Sequence, residues 1–247
     1  MSIPAAGQEV TDDVILRRAS LKGTVREIGA LLALIVLCIG LSILSPHFLK
    51  FSNIMNVLRQ VSIIAIVAVG MTFVIISAGI DLSVGSVLSL SSVLMATLIV
   101  NHAWPAYPAF LAGLVLGGAL GYINGILITR INLPPFIATL GMMSVARGLS
   151  YVYTDGAPIY GLPSGFRFLG EGMIGPVPLP VVLMLVVYAA AYVVLNRTRL
   201  GRYCYAIGGN EEAAILSGIP ISRYKMVYYA GTGVLAALGG SDNGGKA

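Results

Sequence analysis

Six stretches of this chain run for about 18 residues or more almost without charge: 28–45, 61–79, 83–100, 107–128, 133–153 and 179–196. Five contain no Asp, Glu, Lys or Arg, and the other holds Arg147 alone. A helix rising about 1.5 Å per residue crosses a hydrocarbon core of about 30 Å in roughly 20 residues. Backbone within lipid must satisfy its own N–H and C=O groups, which leaves helices and closed barrels. Continuous apolar runs, as opposed to alternating ones, select the helix. The predicted fold class is therefore all-α, a polytopic transmembrane helical bundle. With 57% hydrophobic and 10% charged residues, the chain lacks the polar side chains that a soluble core of this size would need to cover itself.

A seventh apolar run, Met226 to Leu238, looks too short to cross. Thirteen residues of helix reach about 20 Å. It passes into "GGSDNGGKA", which reads as low-complexity and cut short. The expected organisation is a polar cytoplasmic segment at 1–27, a transmembrane domain at 28–240 with about six spans and a partial seventh, and a tail at 241–247. The run from Ile28 is too long for a secretory signal and no small-residue cleavage site follows it, so it reads as an uncleaved span.

Charge gives an orientation. With the N-terminus inside, the inner segments hold Arg17, Arg18, Lys22, Arg26, Arg130, Arg197, Arg199, Arg202, Arg223 and Lys225. Lys50, Arg59, Arg147 and Arg167 fall outside or lean outward, and Lys246 is in the tail. Cytoplasmic enrichment of Lys and Arg sets membrane topology, so the alternation is self-consistent. Arg147 is expected to snorkel to the outer interface. The net charge of +5 has the same origin, and no basic run interleaved with aromatics suggests nucleic acid.

Chemistry is sparse. Cys38 and Cys204 are expected at different depths and unpaired, with Cys204 in a basic loop, and His47 and His102 flank outer loops. No clustered metal ligands, H-E-x-x-H or G-x-S-x-G occur. "GSDNGGKA" at 240–247 matches G-x-x-x-x-G-K but has Ala where a nucleotide loop needs Ser or Thr. No catalytic residue, cofactor or metal is expected.

Two loops are long. The one at 154–178, "TDGAPIYGLPSGFRFLGEGMIGPVP" from Thr154, is rich in Gly and Pro and predicts ordered turns, not helix. Within it Tyr160, Phe166, Arg167 and Glu171 are candidates for receiving a partner protein; a plug packed over its own helices is the alternative. The one at 196–225 predicts a two-turn helix, "EEAAILS": Asn210 caps it, Glu211 and Glu212 favour its positive end, Ala213 and Ala214 fill it, and Gly218 stops it before Pro220. Gly113, Gly117, Gly121 and Gly125 form a stripe on one helix face, as do Gly85, Ser89, Ser92 and Ala96, which predicts close helix packing. The isolated acid Asp81, in "GIDLSVG", is expected to cap the following span, with Gly79, Ser83 and Gly85 completing the turn.

Three segments together resemble one family. "NIMNVLRQVSIIAIVAVGMTFVIISAGIDLSVGSV" from Asn53, "GYINGILITRINLPPFIATLGMMSVARGLSYVYTDGAPI" from Gly121, and "NRTRLGRYCYAIGGNEEAAILSGIPISRYKMVYYAGTGVLAAL" from Asn196 are similar to permease subunits of ATP-binding-cassette sugar importers of the ribose/xylose type. The resemblance covers roughly 28–238, with one small departure at Ala78, where the family commonly has Gly, and a large one at the end, where members continue for several spans. It implies a transport subunit in the inner membrane that works with cytoplasmic ATPases, a periplasmic sugar-binding protein and a second permease subunit, expected to be another copy of the same chain. "EEAAILSG" would be the helix that docks on the ATPase. The alternatives are an ion-coupled secondary transporter and an inactive truncated permease.

Overall fold

The computed structural model describes residues 29–241. The whole polar N-terminal segment with its basic cluster, and the tail beyond Ser241, lie outside the described residues. The chain divides into two units between Ile54 and Met55. In the first, α1 (Gly29–Leu44) is a short apolar helix. Its Ser42 hydroxyl is absorbed by the Cys38 carbonyl at 2.7 Å, so a polar side chain in an apolar helix costs little.

The helix α2 (Phe51–Ile76) carries from there into the second unit. The expected start was residue 61. Asn53, Asn56, Arg59 and Gln60 interrupt the hydropathy but not the helix, because none of them breaks backbone geometry. The second unit continues with α3 (Val84–Val100), α4 (Ala106–Thr129) and α5 (Pro135–Thr154). Then come α6 (Ser164–Glu171), the two-residue strands β1 (Met173–Ile174) and β2 (Val177–Pro178), and α7 (Leu179–Arg197). The chain closes with α8 (Arg199–Gly209), α9 (Glu211–Leu216) and α10 (Ile221–Ser241). Prolines stand at or just before the starts of α4, α5, α6 and α7, where a missing N–H leaves no helical bond unmade. The helical bundle is as the sequence predicts.

Among the described residues α2, α4 and α7 are long and apolar enough to cross a membrane. The helix over the last run is longer than the run itself. α10 has 21 residues, about 31 Å, and not the thirteen of its apolar stretch. It begins at Ile221, because tyrosines and basic residues extend the helix without extending the hydropathy. It is also deeply packed, with Tyr229, Thr232, Ala236 and Ala237 all buried.

The glycine stripe explains that depth. Gly113, Gly117, Gly121 and Gly125 are buried, and the last three lie against antiparallel α10. A methyl group at Gly121 would collide with the Tyr229 carbonyl, one at Gly117 with the Gly233 carbonyl, and one at Gly125 would sit 2.6 Å from Met226 Cα. Gly233 returns the relation by facing the Gly117 carbonyl. Gly113 meets the Met95 side chain of α3 instead. The second stripe holds only in part: Ser92 and Ala96 are buried, with the Ser92 hydroxyl 2.8 Å from the Gly240 carbonyl, but Gly85 and Ser89 face open space.

The two long loops lie at opposite ends of this unit. Arg59, near the start of α2, points its Nη2 at the Glu171 carbonyl of α6 at 3.5 Å. Phe73, near the end of α2, receives the Cys204 thiol of α8 on its carbonyl at 3.2 Å. Fourteen helical residues, about 21 Å, separate these two points. This placement accounts for Arg59 as a basic residue at the same end as α6.

The backbone crossing predicts a sharp contrast. Gly117→Leu should cost about 3 kcal/mol or more, since a side chain there has no room and no flexible neighbour to displace. Gly141→Ala, where nothing lies within 4 Å of the added methyl, should be neutral or slightly stabilising. Thermal unfolding midpoints in detergent check both; equal midpoints for the two variants would refute the tight crossing.

Candidate functional site

The turn between α2 and α3 is built from backbone outward. The Gly79 N–H reaches the Val74 carbonyl at 2.8 Å and the Ala78 N–H reaches Ile75 at 3.0 Å. This paired closure needs a left-handed residue at its corner. That residue is Ala78, at φ 57°, the position where the resembling family commonly has Gly. Gly79 serves a different purpose: a methyl there would stand 2.7 Å from the Tyr229 hydroxyl. The Tyr229 hydroxyl itself donates to the Ile80 carbonyl at 3.1 Å.

Asp81 then accepts the Ser83 N–H at 2.8 Å and the Ser83 hydroxyl at 2.6 Å. These bonds form an Asx turn that leads into α3, but the bonded N–H belongs to Ser83, the residue before the helix, so the expected side-chain cap on the first turn of α3 is not made. Ser83, at the N-cap position, makes no side-chain cap either and instead turns back to Asp81. Asn124 of α4 donates to the Ser83 hydroxyl at 2.9 Å. Asp81, Ser83 and Asn124 are all buried, and Asn124 Oδ1 has no partner among the described residues. Burial pushes the Asp81 carboxyl up from its ordinary value, against the pull of the two Ser83 bonds. Sequence reasoning missed Asn124 and Tyr229; the signal for Asn124 was a lone amide inside the glycine stripe.

At the same end, α8 and α9 form a docked pair. α8 occupies a stretch that the sequence presents only as basic loop. Its buried Gly201, Cys204 and Ile207 recur at helical spacing, so Cys204 sits in an apolar cluster with Val74 and Tyr229 and not in an exposed loop. Burial pushes its thiol up to about 11. α9 has the expected caps. Asn210 accepts the Ala213 N–H at 2.9 Å. Gly218, at φ 77°, closes the C-terminus as its N–H meets Ile215 and the next N–H meets Ala214. Glu211 pairs with Lys225 of α10 at 2.8 Å, tying the start of α9 down. Ala214 faces inward, while Ile215 and Leu216 are exposed, Leu216 at 89%. Those two apolar side chains were not singled out from sequence.

At the opposite end, α6 replaces the expected turns. Phe166, Leu169 and Gly170 fall on one face, and an i,i+4 pair, Arg167 to Glu171 at 2.7 Å, lines the other. Tyr160, Arg167 and Glu171 are exposed. Phe166 is not: at 2% exposure it packs with Met95, Ile99 and Leu162, so it anchors the loop onto its own helices and is withdrawn from the set of surface candidates.

Between α3, α5 and the segment after α5 lies a cavity of about 720 Å³. Gly85, Ser86 and Ser89 of α3 line one wall, and Arg147, Ser150 and Tyr151 of α5 the other. Arg147, exposed, therefore borders this cavity. No group of His, Cys, Asp and Glu among the described residues is arranged to hold a metal.

Comparison with known proteins gives a consistent result. The family "Branched-chain amino acid transport system / permease component" matches residues 53–241. The ribose import permease protein of Bacillus subtilis (strain 168) is 47% identical over 227 residues, covering 91% of this chain and 70% of that protein. The ribose import permease protein of Escherichia coli (strain K12) is 44% identical over 234 residues, covering 93% of this chain and 73% of that protein. A D-allose transport system permease protein of Escherichia coli (strain K12) is 39% identical over 211 residues, covering 85% and 64%. No solved structure matches the chain.

The Asp81 geometry separates hydrogen-bond acceptance from charge. Asp81→Asn keeps an acceptor for both Ser83 donors and should remain within about 1 kcal/mol of the parent, whereas Asp81→Ala orphans two buried donors and should cost about 2 kcal/mol. Because the folded pKa is raised, the cost of the charge is absent below the ordinary value of 3.8 and grows as pH rises towards the folded value. Any advantage of Asn over Asp should therefore be largest at neutral pH and shrink on acidification. Ala78→Gly should stabilise by about 1 kcal/mol. Unfolding midpoints across pH check all three; loss of transport in Asp81→Asn at unchanged stability would make the charge itself functional.

Proposed function

The chain belongs to the permease-component family of binding-protein-dependent importers, and from that membership we propose how its parts divide the work of monosaccharide import. As a permease it is a multi-pass membrane protein and not an enzyme. The ATPase and the sugar-binding protein are separate partners, as in any importer of this kind. The sugar is of the ribose or allose class that its relatives carry. A second copy of this chain completes the pathway, and the N-terminus lies in the cytoplasm of the inner membrane.

α9 carries the coupling part of this reading. A six-residue helix capped at both ends and tied by Glu211 to Lys225 presents Ile215 and Leu216 to solvent. Rigid backing behind two exposed apolar side chains is what a docking contact needs, since little ordering entropy remains to oppose association. Asn210, Glu212, Ala213, Ala214 and Gly218 support that presentation, and the ATPase cleft is its proposed destination. At the other end Tyr160, Arg167 and Glu171 form the face proposed for the sugar-binding protein, with Phe166 as its internal anchor.

An ion-coupled transporter is the weaker reading. Such a carrier needs acidic or unwound sites for its ion, and the cavity between α3 and α5 contains no acid.

Reconstitution tests the reading as a whole. Proteoliposomes holding the chain, its ATPase and its binding protein should take up labelled D-ribose or D-allose only with ATP; uptake by the chain alone on an ion gradient would overturn it. Leu216→Asp and Gly218→Val should each lower ATPase co-purification at least tenfold, and retention at the full level would remove α9 from the contact. For the outer face, Arg167→Glu and Glu171→Arg should each weaken capture of the binding protein. The double swap distinguishes the readings: restored capture assigns the pair to loop integrity, and capture still weakened assigns it to the docking face.

A further inference from the structure

We propose that the cavity between α3 and α5 is a subsite for a neutral polyhydroxylated ring, with Arg147 as its hydrogen-bonding anchor and Tyr151 as its stacking surface. This rests on the permease reading and deepens it by naming where in this chain the sugar is contacted. About 720 Å³ falls within the range of small-molecule sites, roughly 300–1,000 Å³.

Four features of the cavity fit that chemistry. Arg147 is its one charged lining residue and its guanidinium has no hydrogen bond or ion pair among the described residues. A cation in the thirteenth position of a 20-residue span is costly without a purpose or a wet surface. Its five N–H donors suit the lone pairs of sugar hydroxyls. Ser86 and Ser89 add hydroxyls that are not consumed by the fold, whereas Ser150 is bonded to the Ala146 carbonyl at 3.0 Å and offers only its remaining acceptor capacity. Tyr151, 62% exposed, supplies a flat apolar face against which the C–H side of a sugar ring can pack. The absence of any acid from the lining leaves nothing to favour a cationic ligand, and the small number of polar groups on a partly apolar wall suits passage more than tight retention.

Gly85 gives the cavity its room. Nothing lies within 4 Å of a methyl group built there, and the residue borders the cavity, so a side chain at this position would extend into the open space without touching the fold.

That geometry supplies a test in which folding and transport separate. The complete transporter, this chain with ATPase and binding protein, is reconstituted with Arg147→Ala, Arg147→Lys or Gly85→Leu, and uptake of labelled D-ribose, D-allose and D-fructose is measured. Arg147→Ala and Gly85→Leu should each lower ATP-driven uptake at least tenfold, with unchanged ATPase co-purification and an unfolding midpoint close to the parent. Arg147→Lys keeps the charge but loses the planar fork, and should change the ratio of uptake among the three sugars by threefold or more. Uptake within twofold of the parent in either Arg147→Ala or Gly85→Leu, or a sugar ratio unmoved by Arg147→Lys, would overturn the subsite while leaving the permease reading in place. Failure of the parent transporter to carry any of the three sugars with ATP would overturn both.

Discussion

Everything in the second unit depends on how closely α4 and α10 approach. Lipid tails are as apolar as the side chains they would replace, so burial of apolar area does not by itself hold two helices together in a membrane. Contact dispersion does, and it falls off steeply with distance. Glycines at 117, 121 and 125 remove the spacer between backbones, and Gly233 removes it from the other side. The Met226, Tyr229 and Ala230 backbone then fills the groove. With α10 seated this deeply, its Tyr229 can reach the Ile80 carbonyl and its Gly240 can meet Ser92 of α3.

The same seat organises the end that holds α8 and α9. Tyr228 donates to the Leu200 carbonyl at 2.8 Å and Cys204 to Phe73 at 3.2 Å, so α8 is fixed to both α10 and α2. Lys225 then holds Glu211. α9 is thus tied to α10 directly, and α10 to the turn before α3 through Tyr229. The turn connects to α3, whose Gly85, Ser86 and Ser89 form one wall of the cavity. A chain of hydrogen-bonded and close-packed elements therefore runs from the proposed ATPase contact to the proposed sugar contact, within a single subunit.

Most polar groups in this bundle fall into two kinds, with the buried Ser91 and Thr97 hydroxyls left without a partner among the described residues. Most hydroxyls in the spans, such as Ser62, Thr72, Thr129 and Thr139, return to a carbonyl four residues earlier and are neutralised within their own helix. Asp81, Ser83 and Asn124 instead bond to one another across elements, and Arg147, Ser86 and Ser89 face a cavity. The first kind is compatible with any apolar span. The second kind specifies particular contacts, which is where a transport protein differs from a generic bundle.

The sequence by itself determined the helical class, the caps of α9 and the packing role of the α4 stripe, because each depends on chain-local chemistry: apolar run length, Asn and Gly at the two ends of a short helix, and glycines four apart on one face. Asp81 as a turn-forming acid ahead of α3 was legible for the same reason, although it bonds Ser83 and not the helix itself. Only the tertiary structure decided the rest. Phe166 and Tyr160 are both aromatics in one Gly- and Pro-rich loop, and nothing local distinguishes the one buried among Met95 and Leu162 from the one left in solvent. The length of α10 was hidden because hydropathy measures solubility in lipid and helix formation does not require it. Arg147 reads from sequence as a snorkelling cation, and its place in a cavity with Ser89 and Gly85 comes from α3, about sixty residues away in the chain. Which faces of two distant helices meet is set by three-dimensional packing, and that is information no local pattern of residues contains.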